Sequence, residues 1–61
     1  MDRAAALELL PEVYARALRL REQGCGSAEI ARQLCIAPEA VASTLELAEA
    51  KVGRLMQRDF R

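Results

Sequence analysis

The 61 residues make one domain, residues 1–61, and leave no room for a second core. Nine Lys and Arg offset nine Asp and Glu, so no net field draws the chain toward nucleic acid or an anionic membrane surface. Apolar residues reach 52%, mostly Ala and Leu, with one Tyr, one Phe, no Trp and few Gly or Pro, which points to an all-α fold.

Punctuation divides the chain into four helical pieces. Asp2 suits an N-cap and precedes alanines of high helix propensity, which places a first helix over about residues 2–9. Pro11 disfavours helical geometry at Leu10 and suits the first turn of a new helix, so a second helix runs over about residues 12–23. Its apolar face is Val13, Tyr14, Ala17, Leu18 and Leu20, with Arg16, Arg19 and Glu22 outside. Gly24 is placed to close that helix in a left-handed conformation. Ser27 is expected to cap a short third helix, with Glu29 at its positive end and Ile30, Ala31 and Leu34 as its buried edge. After the turn "CIA", Pro38 and Glu39 open the last helix, which meets no breaker before Gly53 and continues its pattern through Leu55 and Met56. Val41, Leu45, Ala48, Val52 and Leu55 are spaced four, three, four and three apart, one stripe over about four turns. The upper half of the stripe closes on the third helix. The lower half packs on the first two helices or on a second copy.

The sequence carries little chemistry. Cys25 and Cys35 are ten residues apart and there is no His, so the two thiols cannot close a tetrahedral zinc site within one chain. They are expected to be reduced and to act as small apolar residues. No nucleophile–base pair, phosphate-cradling glycine loop or paired-carboxylate cleft is present, so neither an enzyme nor a cofactor is expected. No apolar run approaches the ~20 residues that span a bilayer. The first residues lack the basic start and apolar centre of a secretion signal, and a cytoplasmic protein is expected.

Ile30, Ala31, Leu34, Ile36, Val41 and Leu45 fit a helix-turn-helix, with small Ala31 where the two helices cross. The longer stretch "LLPEVYARALRLREQGCGSAEIARQLCIAPEAVASTLELAEAKV" resembles the fourth region of bacterial sigma factors. The regulators of the LuxR type share the helix-turn-helix phrase, and the "LPEVY" lead-in favours the sigma family. The resemblance implies a small four-helix domain with a long C-terminal recognition helix. It also implies a glycine in left-handed geometry where this chain has Cys35, at a cost of roughly 1–2 kcal/mol if that geometry is kept. Two readings of Cys35 stand: a tolerated substitution in a slightly altered turn, or a thiol at a partner or redox surface.

The resemblance further implies transcription regulation through DNA. The groove-facing positions would be Ala37, Glu39, Ala42, Ser43 and Glu46, flanked by Thr44 and Leu47. Sigma-like sequences carry Lys or Arg at several positions matching Ala42, Thr44, Leu47 and Glu49; this chain has none there. Arg32 can reach a phosphate, whereas Lys51, Arg54 and Arg58 lie far down the last helix. With ~2–3 phosphate contacts per copy, binding by a monomer would be weak and would call for dimerisation, through the C-terminal helix, or tethering. The alternative is a protein-interaction module that binds RNA polymerase, an anti-sigma factor or another regulator. Leu47, Met56 and Phe60 are its candidate contacts, although Met56 and Phe60 equally suit packing on the first two helices.

Overall fold

The structure, a computed structural model, describes residues 2–57. Four α-helices follow one another among them: α1 (Arg3–Glu8), α2 (Glu12–Glu22), α3 (Ser27–Leu34) and α4 (Val41–Gln57). A single 3-10 turn, Pro38–Ala40, leads into α4. Helix α4 thus starts three residues later than the proline suggests. The fixed φ of Pro38 suits this tighter first turn, which the Ala40 amide closes on the Ala37 carbonyl at 2.9 Å.

Helix α1 has six residues, far fewer than the ~12–15 that an isolated helix needs in water. Its existence rests on its ends and its buried face. The Asp2 carboxylate accepts from the Ala5 amide at 2.9 Å, and Ala6 and Leu7 are buried. Helix α2 begins directly after Pro11 and ends at Gly24, whose φ is +92°. There the Gly24 amide donates to the Arg21 carbonyl at 2.9 Å and the Cys25 amide to the Leu20 carbonyl at 3.0 Å, which closes the helix end.

Two apolar clusters share α2 and α4. The first joins Ala6, Leu7 and Leu10 to Ala15 and Leu18 of α2 and to Ala48 and Val52 of α4, with Tyr14, Leu45, Leu55 and Met56 at its margin. The second joins Ala17 to Ile30, Ala31 and Val41, with Leu20, Cys25, Leu34, Ile36 and Leu45 around it. The stripe of α4 therefore divides as its spacing implies, and its lower half is covered within the chain by α1 and α2. On α2 the single apolar face is corrected. Ala15 is buried and Val13 is 39% exposed, because α2 lies between both clusters and buries residues on two sides.

A charged cluster ties the outer surface of the first apolar group. Arg3 donates from Nε to Glu22 at 3.0 Å and from both terminal nitrogens to Glu49, at 3.1 and 3.0 Å. Arg21 pairs with the same Glu49 carboxylate. Helices α1, α2 and α4 are thus joined through one glutamate. The Arg3 bonds, reinforced by Arg21, hold the Glu49 carboxyl below the usual carboxylate range against the opposing effect of burial. Glu49 is thus held within this cluster by two arginines.

Candidate nucleic-acid interface

Helices α3 and α4 with the turn between them form the helix-turn-helix. Gly26, in extended geometry at φ −79° and ψ 172°, is the N-cap of α3, and Ser27 is the first helical residue. Ser27 therefore makes no side-chain cap, a correction of one position; the Gly26 carbonyl instead accepts the Ile30 amide at 3.0 Å. Glu29 sits in the first turn beside the helix's positive end. Its carboxyl is held below its ordinary range by Gln33, whose amide donates to it at 2.8 Å, and by Arg32.

The far end of α3 keeps the left-handed geometry. Cys35 has φ 58° and ψ 44°, its amide donates to Arg32 at 3.3 Å, and the Ile36 amide donates to Ala31 at 3.0 Å. The Cys35 side chain is exposed and Cys25 is half-buried. They flank the eight residues of α3, a rise of roughly 12 Å, which is too far apart for a bridge between them. From Cys35 the chain turns through Ile36 into Val41, which is buried against Ile30 and Ala31. Ala31 is 3% exposed and packs in the cluster with Ala17, Ile30 and Val41.

This crossing turns one side of α4 outward. Ala42, Ser43, Glu46, Leu47 and Ala50 are exposed on it, and Glu39 and Ala37 are exposed just before it. Thr44 does not join them fully. It is half-buried and its hydroxyl donates back to the Ala40 carbonyl at 2.8 Å, which leaves only acceptor capacity. Arg32 lies on the neighbouring face of α3 with its side chain 77% exposed, paired with Glu29. Arg16 of α2, which the sequence did not single out, reaches the Gln33 carbonyl at 3.4 Å and so stands beside the last turn of α3. Its only signal was an outward position on α2.

Of the candidate partner contacts, Leu47 is 52% exposed on the outward side. Met56 is half-buried against the first apolar cluster, together with Leu55. Phe60 and Arg58 lie outside the described residues. Lys51 is directed back over the Tyr14 ring, 5.4 Å from its centroid, and not into the outward face. Among the described residues no helix is long and apolar enough to cross a membrane, and no three His, Cys, Asp or Glu side chains gather as for a metal.

Compared with known families, residues 4–52 match the model described as "Sigma-70, region 4". No curated protein and no solved structure matches the chain.

Proposed function

Because the chain belongs to the sigma-70 region 4 family, whose domains bind DNA and the RNA polymerase core, we propose that it is a transcription module that reads DNA through α4 and binds weakly as a single copy. One observation carries this reading. The α3–α4 turn keeps its left-handed geometry despite Cys35, and residues at the start of α4 lie exposed beyond it, which supports the use of α4 as a recognition helix. Glu39, Ala42, Ser43 and Glu46 would lie along the major groove, with Thr44 at the flank and Arg32 on a phosphate. Arg16, beside the last turn of α3, would give a second phosphate contact. The weakness stems from charge. Glu39 and Glu46 face the phosphates on a chain of net charge zero, and few cations stand near the turn. A dimer or a tether to the polymerase would supply the missing affinity.

The test is fluorescence anisotropy of labelled duplexes from low to moderate salt. Weak, salt-sensitive binding is expected. Arg32→Ala should weaken it on all sequences alike, as a phosphate contact does. Glu46→Lys should strengthen it and steepen the log–log salt dependence by up to ~0.9. A second reading is favoured by Leu47, an exposed apolar side chain in the middle of the outward face. On that reading the face meets RNA polymerase, an anti-sigma factor or another regulator. Neither form would then bind DNA at low salt, and Glu46→Lys would impair association with the purified polymerase core.

A further inference from the structure

The outward face of α4 has an unusual chemical inventory, and it narrows what the face can read. Ala42, Ser43, Glu46, Leu47 and Ala50 are its exposed residues between the turn and Gly53. None is Arg, Lys, Asn or Gln, the side chains that bond in pairs to guanine or adenine in the major groove. Ala and Leu offer only apolar contact, and a Ser hydroxyl bonds to any base. Glu46 alone among the five carries both reach and charge; Glu39, the other exposed carboxylate on this side, lies ahead of α4 in the 3-10 turn Pro38–Ala40.

Glu46 is also at liberty to use them. Glu22, Glu29 and Glu49 are each engaged by arginines, with Gln33 also on Glu29. Among the hydrogen bonds and ion pairs of the described residues, none engages the Glu46 carboxylate. An ionised carboxylate only accepts hydrogen bonds. Guanine presents two acceptors in the major groove and thymine one, so both repel it. Adenine sets an acceptor, N7, beside its amino donor. Cytosine alone offers an amino donor, N4, with no acceptor on its own major-groove edge.

We infer that Glu46 is a specificity-determining residue of the recognition helix and selects cytosine, by accepting a hydrogen bond from its N4 amino group. The assignment rests on the DNA-binding reading above. It also gives the carboxylate a purpose that its repulsion from phosphates obscures: general affinity is lowered at the residue that discriminates.

The test is selection from a randomised duplex pool at low salt by the full chain, followed by anisotropy on single-base-pair variants of the enriched sequence. The wild type should enrich a fixed cytosine, and exchanging that pair should weaken binding about 5- to 20-fold. Glu46→Ala should lose the preference at that one position while retaining binding to duplex. Glu46→Gln should move it to adenine, whose N6 and N7 suit the amide. Circular dichroism of both variants, substituted at an exposed site, should superimpose on the wild type. Binding with an enriched position unchanged in both variants overturns the assignment alone. Binding by none of the three forms overturns the DNA reading, and the assignment falls with it.

Discussion

Two helix ends in this molecule close with the same hydrogen bonds around different residues. At the end of α2 the left-handed residue is Gly24; at the end of α3 it is Cys35. In both, the next amide reaches back to a carbonyl a full turn earlier, Cys25 to Leu20 and Ile36 to Ala31, each at 3.0 Å. Glycine adopts this conformation without a steric penalty, whereas a residue with a Cβ is opposed by roughly 1–2 kcal/mol. The α3 end holds its shape because its neighbours require it. Leu34 and Ile36 on either side of Cys35 pack on the second apolar cluster, so any other path would lift both from it. The first end is set by its own residue, the second by its surroundings.

The largest effect should come from attacking those surroundings. Ala31 supplies both the carbonyl of the second end and the small side chain of the crossing. Ala31→Leu is expected to destabilise the domain by about 1–3 kcal/mol in urea unfolding, and full tolerance would rule out a close crossing at this residue. Gly24→Ala comes next. A Cβ at Gly24 meets nothing within 4 Å, so its cost is backbone strain alone, about 1–2 kcal/mol. Cys35→Gly should act in the opposite direction, raising stability by about 1 kcal/mol once the greater freedom of unfolded glycine is deducted. A neutral or unfavourable outcome would mean that the cysteine contributes packing that the left-handed geometry does not reveal.

The smallest effect should lie far from either end, at Glu49. Its pKa is lower folded than unfolded, so the stabilisation is complete above the ordinary value near 4.5 and is lost as the pH falls through the lowered value. The pair is more than a third exposed, so its contribution is limited to roughly 0.2–1 kcal/mol. Thermal melts of wild type and Glu49→Gln should differ at neutral pH and converge in acid. An equal difference at both would show that the charge is not what matters.

Features with local causes were legible in the sequence. The Asp2 cap, the break at Pro11, the glycine stop at residue 24 and the divided stripe of α4 each arise from a few neighbouring residues, and each is present. What escaped is set by distant partners. Glu49 meets an arginine 46 residues away, and α2 buries Ala15 in one cluster and Ala17 in the other because it lies between the two. On the candidate interface, periodicity was enough to place Ala42, Ser43, Glu46 and Leu47 outward. It did not show that the Thr44 hydroxyl would bond to its own helix, since a threonine four residues after any carbonyl has that option and only the fold decides it.

Tyr14 stands at the seam of this arrangement, half-buried at the margin of the first cluster and beneath the Lys51 ammonium of α4. It is the only tyrosine, and there is no tryptophan. Tyrosine emission from the protein therefore originates at one place, the joint between α2 and α4. Parting those helices would remove the cation from the ring and admit water to it. The chain thus contains its own optical gauge of that joint, readable without any attached dye.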